Sequence, residues 1–113
     1  MTEDAQSYIE LAESCARDGA LQRAADNYEL ALRFESGSIT ALVGLTGVLL
    51  KSGSLDEARR ALGKALTLDR EHPEVMKLQA ELHARSGRFD LAVKAIHQAT
   101  EADMDRKRYR RRR

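Results

Sequence analysis

The chain has 113 residues, 42% of them apolar and 33% charged, with five aromatic side chains, one proline and one cysteine. That length suits one modest core, and the apolar content is too high for a wholly disordered chain. The lone Cys15 rules out an intramolecular disulfide framework or a zinc ribbon. The longest uncharged run, Ser36 to Leu50, is 15 residues, too short to cross a bilayer.

No arrangement of basic, apolar and cleavage-site segments opens the chain, so a cytoplasmic location is expected. The net charge of +1 conceals an asymmetry. Residues 1–105 carry 12 basic and 18 acidic side chains, whereas residues 106–113 carry seven basic ones and no acid. An acidic body therefore ends in a basic string.

Ala, Leu, Glu and Arg dominate, which favours helices throughout. Amphipathic periodicity predicts helices over 4–17, 21–34, 38–51, 55–68, 73–85 and 89–102. The first is followed by Gly19, the third by Gly53 and the fifth by Gly87, each after a polar pair, where a left-handed residue ends a helix without a Cβ clash. Ser54-Leu55-Asp56-Glu57 reads as a capping box opening the fourth helix, while Ala20 leaves the second without a side-chain cap. Pro73 suits the first turn of the fifth helix, where its missing N–H costs nothing.

The same glycines reveal a period. Gly19, Gly53 and Gly87 are 34 residues apart, as are Ala24, Ala58 and Ala92, and again Ala31, Ala65 and Ala99. Leu21, Leu55 and Phe89 form another column, and Tyr28, Leu62 and Ile96 a further one. Three copies (5–38, 39–72 and 73–106) thus each form a helical hairpin joined at a glycine turn. The alanine column allows close approach within a hairpin, and the Tyr28, Leu62, Ile96 column fills space toward the next. One hairpin cannot bury its apolar face alone, but three stacked hairpins share a continuous core.

This pattern resembles the tetratricopeptide repeat family. The first copy shows Tyr8, Leu11, Ala12, Cys15, Gly19, Ala24, Tyr28 and Ala31 in the family's slots. The second shows Leu42, Leu45, Thr46, Leu49, Gly53, Ala58, Leu62 and Ala65, and the third Met76, Gln79, Ala80, His83, Gly87, Ala92, Ile96 and Ala99. The family's Trp is absent, Gln79 replaces a Leu, and Ser36, Arg70 and Met104 stand where a closing proline is usual. The resemblance implies an all-α, right-handed superhelical solenoid of three helix-turn-helix repeats with six helices. Residues 1–105 would form the domain and 106–113 a disordered basic tail. It is specific for architecture and says little about function, because the family hosts many partners.

No enzymatic constellation is evident. Cys15 and His83 occupy the same slot two repeats apart, roughly 20 Å at about 10 Å per helix layer, too far for an activated nucleophile. Both read as fillers of the slot held by Leu49. His72, His83 and His97 lack metal-ligand spacing. Gly44-Leu45-Thr46-Gly47 sits inside a helical pattern rather than after a strand, so it is no phosphate loop. Neither catalytic residue, metal nor cofactor is expected.

In the family's superhelix the first helix of each repeat lines a concave groove. Carrying those slots over places Ile9, Glu10, Glu13 and Arg17 there, then Val43, Gly44, Gly47, Leu50 and Lys51, then Glu74, Lys77, Leu78, Glu81 and Arg85. Members that clamp a peptide's carboxyl terminus use Lys, Asn and Arg at places held here by Ile9, Glu13, Gly44, Glu74 and Leu78, so no such clamp is expected. The expectation is a protein-interaction module whose groove takes a peptide or helix with apolar anchors and basic flanks. Ile9, Glu13, Val43, Gly44, Gly47, Leu50, Leu78 and Glu81 are its candidate contacts. Gly44 and Gly47 each cost about 1 kcal/mol against Ala in a helix. They serve either to admit a partner's backbone or to let neighbouring helices pack closely.

Two other functional readings attach to the end of the chain. Val93 and Ile96 on the last helix suit self-association into a homo-oligomer, since a terminal repeat exposes a core-like face. Arg106, Lys107, Arg108, Arg110, Arg111, Arg112 and Arg113, around Tyr109, could engage nucleic-acid phosphates or another anionic surface, or could simply be a solvated tail.

Overall fold

A computed structural model describes residues 4–88, 91, 94–98, 100, 101 and 104. Five helices follow one another: α1 (Ala5–Arg17), α2 (Leu21–Phe34), α3 (Ile39–Ser52), α4 (Leu55–Leu68) and α5 (Pro73–Arg85). The described residues from 91 to 104 are helical too, forming a sixth helical segment, and no strand occurs among the described residues. The hairpin periodicity predicted all five helix positions to within a residue.

Local chemistry explains the ends. Asp4 caps α1, its carboxylate accepting the backbone N–H of Ser7 at 2.8 Å, and that bond holds its carboxyl below the ordinary carboxylate value. Ser38 caps α3 by accepting from Ala41 N–H at 3.2 Å. At α5, Pro73 takes the first helical position, and the Nδ1 of His72 accepts from Glu74 N–H at 3.2 Å. The predicted capping box at Ser54 does not form. Its hydroxyl makes no cap bond and instead lies 3.4 Å from that of Ser52, leaving Asp56 and Glu57 to favour the helix start by charge alone. Gly19, Gly53 and Gly87 adopt φ of 81°, 82° and 79°, the left-handed turn the 34-residue column required.

The helices pack as stacked hairpins. Ala24 and Ala58 are fully buried, which brings α1 against α2 and α3 against α4. The first helices of successive repeats also touch, α1 with α3 and α3 with α5, whereas no residue pair of α2 and α4 has Cα atoms within 8 Å. Helices in contact on one side and splayed on the other make a curved stack with α1, α3 and α5 on its inner, concave side. α3 lies in the middle, with Leu42, Leu45, Val48, Leu49 and Leu50 all buried. Its buried Thr46 hydroxyl donates to the Leu42 carbonyl at 2.7 Å, so no polar group is stranded there.

Candidate functional site

The concave face is built from the exposed sides of α1, α3 and α5. Its middle is α3, which presents Val43, Gly44 and Gly47 as half-buried positions and Lys51 at its exposed end. The two glycines differ. A Cβ at Gly47 would meet nothing within 4 Å, so open space stands above that stretch of backbone. A Cβ at Gly44 would lie 2.3 Å from Cζ of Tyr28 and 2.6 Å from its hydroxyl. Tyr28, from α2, therefore rises through the gap that Gly44 leaves in α3. Close packing accounts for Gly44, and an open trough remains only at Gly47.

The sequence pattern assigns Tyr28 to packing between repeats, and its ring, 5% exposed, does fill that junction by taking the space beside Gly44. Burial raises its phenol pKa above 10.0, the Glu13 carboxylate raises it further, and Arg17 opposes. The ring thus lies within the field of the α1 charges. One signal could have revealed the fit with Gly44. At the next junction the same two slots hold Leu62 and Leu78, so Tyr with Gly and Leu with Leu fill one volume in two ways.

Three candidate contacts need correction. Leu50 is fully buried, Ile9 is 4% exposed and Leu78 8% exposed. They are core side chains beneath the groove, because α3 is surrounded and the neighbouring first helices turn these residues toward it. Val43 is the one apolar candidate that keeps a part-exposed side chain. Glu13 and Glu81 are exposed, as are Glu10, Arg17, Lys51, Glu74 and Lys77.

The charges divide by helix. On α5, Lys77 pairs with Glu74 at 3.5 Å and Arg85 with Glu81 at 3.5 Å. Arg85 also donates from Nη1 to the carbonyl of Leu50, tying the carboxyl end of α3 to α5 across the repeat boundary. On α1, Glu10 accepts from Gln6 at 3.3 Å, and neither Glu10 nor Glu13 is held by a cation among the described residues. One wall of the trough is internally paired, while on the other, among the described residues, Glu10 and Glu13 make no ion pair and Arg17 follows on the same helix.

A second concavity lies on the opposite, splayed side. Leu42, Leu45 and Leu49 of α3 floor a hollow of about 410 Å³ between α2 and α4, rimmed by Glu29, Arg33, Glu57, Arg60 and Lys64. A smaller one of about 240 Å³ lies one repeat along, with Gln79 and His83 where the first has Leu45 and Leu49. His83 and Cys15 are both half-buried, and no residue pair of α1 and α5 has Cα atoms within 8 Å, so the two side chains stand on separate helices with α3 between them. Val93 and the tail residues Arg106 to Arg113 lie outside the described residues, while Ile96 is described and 55% exposed. Among the described helices none is long and apolar enough to cross a membrane.

The family model of the tetratricopeptide repeat matches residues 49–111. No curated protein matches the chain significantly. Among solved structures, MamA superposes with a TM-score of 0.85 at 22% identity, over 94% of this chain and 62% of MamA. The chain therefore spans under two thirds of that protein. The Yersinia enterocolitica type III secretion chaperone SycD, in complex with a peptide of the translocator YopD, gives 0.79 at 18% identity, over 86% of this chain and 74% of SycD. The second repeat domain of Spaghetti, bound to the HSP90 peptide SRMEEVD, gives 0.81 at 15% identity, over 88% of this chain and 93% of that domain.

Proposed function

The chain belongs to the tetratricopeptide repeat family, and on that footing we propose that it is a non-enzymatic protein-interaction module holding a peptide or helix of a partner along the trough of α1, α3 and α5. The observation that carries this reading is the open space above Gly47. A helix-interior glycine with no neighbour to accommodate sacrifices about 1 kcal/mol of helix propensity. Gly63 on α4 is equally open, and what sets Gly47 apart is its place in the middle of the concave face, where a partner backbone can pass over it.

The charges suggest what the partner looks like. Glu10 and Glu13 on α1 are free of cations among the described residues, so the segment carries basic residues on its α1 side and an apolar side chain against Val43. Such a segment differs from the acidic SRMEEVD peptide bound by the Spaghetti domain, because Glu13 and Glu74 stand where clamping members place cations. Ile9, Leu50 and Leu78 support the floor, and Glu81 and Arg85 hold the far wall.

Gly47→Arg tests the reading directly. Its side chain extends into open space, so the fold is retained while the trough is filled. Partners captured by the wild-type chain from its native lysate should be lost from the variant, with helicity by circular dichroism unchanged. Retention of every partner by a folded Gly47→Arg chain would refute the groove.

A further inference from the structure

The two hollows on the splayed side of the stack lie one repeat apart and differ in chemistry. The first is floored by Leu42, Leu45 and Leu49 and rimmed by charges of both signs. The second, about 240 Å³ between α4 and α5, has Gln79 and His83 in the slots of Leu45 and Leu49. Both are departures from the repeat pattern that the trough does not use, and they meet in one place.

A third departure makes room there. Glu29 lines the first hollow, and the residue 34 positions on is Gly63, which lines the second. A glycine in the interior of α4 is unfavourable for the helix. A Cβ on Gly63 would meet nothing within 4 Å, so close packing does not account for it. Its effect is to widen the hollow and to take a carboxylate off the wall.

The polar groups that remain suit an anion. The Ser52 hydroxyl donates to the Leu49 carbonyl at 3.0 Å, whereas the Ser86 hydroxyl at the same slot is buried with no partner among the described residues. Arg59 and Arg88 line the hollow where the preceding repeat has Ala25 and Ser54. Arg59 lies 3.8 Å from Asp56, and both are well exposed, so that pair is weak and a ligand can share the guanidinium. No acidic side chain lines the hollow among the described residues, and Leu62, Leu66 and Leu82 give it an apolar wall.

We propose that this hollow is a binding site for a short aliphatic carboxylate. The tail lies against the three leucines in the space over Gly63, and the carboxylate is held by Arg59 and Arg88 with Gln79 and His83 as further hydrogen-bond donors. At roughly 30 Å³ for each water-sized group the space takes about eight heavy atoms, which a six-carbon acid matches. The site is on the opposite side of the stack from the trough and does not depend on it.

Titration of the full isotope-labelled chain with hexanoate, followed by NMR, tests the assignment. Saturable shifts should centre on the amides of Gly63, Gln79, His83 and Ser86. Hexanol has the tail without the charge and acetate the charge without the tail. Each should bind at least about tenfold more weakly, since a charge-assisted hydrogen bond or a few buried methylenes is worth that much. Gly63→Leu fills the hollow from an open position, so the folded variant should lose binding, and Arg88→Gln should weaken it by about tenfold. Hexanoate that shifts none of these amides would overturn the proposal. So would acetate binding as well as hexanoate, the mark of charge alone as on residues 106–113, or a folded Gly63→Leu chain that binds hexanoate like the wild type.

Discussion

Gly44 and Gly47 lie three residues apart on one helix, and replacing each by alanine should change stability unequally, because only Gly44 has a neighbour in the way. Both substitutions gain the same helix propensity, about 1 kcal/mol. At Gly47 the new methyl meets nothing within 4 Å, so that gain should appear in full. At Gly44 the methyl would stand 2.3 Å from Cζ and 2.4 Å from Cε1 of Tyr28. Carbon atoms prefer about 3.5–4.0 Å, so the ring must retreat by at least about 1.2 Å. The ring is stiff and the residue 5% exposed, and overpacking of this kind costs about 1–3 kcal/mol.

The propensity terms cancel in the difference, so Gly44→Ala should be less stable than Gly47→Ala by about 1–3 kcal/mol. Urea unfolding followed by circular dichroism measures both. The cause is checked by repeating Gly44→Ala in a Tyr28→Leu background, where the shorter side chain removes the overlap and the alanine should stabilise by about 1 kcal/mol. Equal stabilisation by the two alanines in the wild-type background would refute the claim that Tyr28 fills the Gly44 gap.

Two further expectations follow from burial. Leu45→Ala should cost about 2–5 kcal/mol, while Leu11→Ala, at the same repeat slot but 53% exposed, should change stability by under about 0.5 kcal/mol, both read by chemical denaturation. For Tyr28, the folded-state pKa is raised by burial and by Glu13, so the neutral phenol is the form that folding favours. Its contribution is fully present below the unfolded value near 10.0 and is lost as pH rises through the folded value. Stability should therefore fall more steeply above pH 10 in the wild-type chain than in Tyr28→Phe, as measured by unfolding at a series of alkaline pH values.

The architecture was legible because it is written in translation. Glycines at 19, 53 and 87 demanded left-handed turns, and alanines at 24 and 58 demanded close helix pairs; both are local demands of backbone and volume that a linear pattern carries intact. The cap at Ser54 misled because a hydroxyl near a helix start has more than one partner within reach, and Ser52 lies beside it. The groove was legible only in outline. Its slots were implied by family resemblance, yet whether Leu50 or Leu78 shows its side chain depends on neighbours distant in sequence.

What the amino-acid order determined by itself is thus the period, the hairpins and their turns, since each follows from side-chain size, backbone conformation and spacing along the chain. What only the tertiary structure decided is which members of a column meet solvent. Leu11 and Leu45 share one slot and differ from 53% to 6% exposure because α2 lies over one and no helix among those described lies over the other. Gly44 and Gly47 look alike as letters, but one is filled by a tyrosine from another helix and one is open. Exposure is a property of what packs nearby, and a repeat hands identical residues to different surroundings.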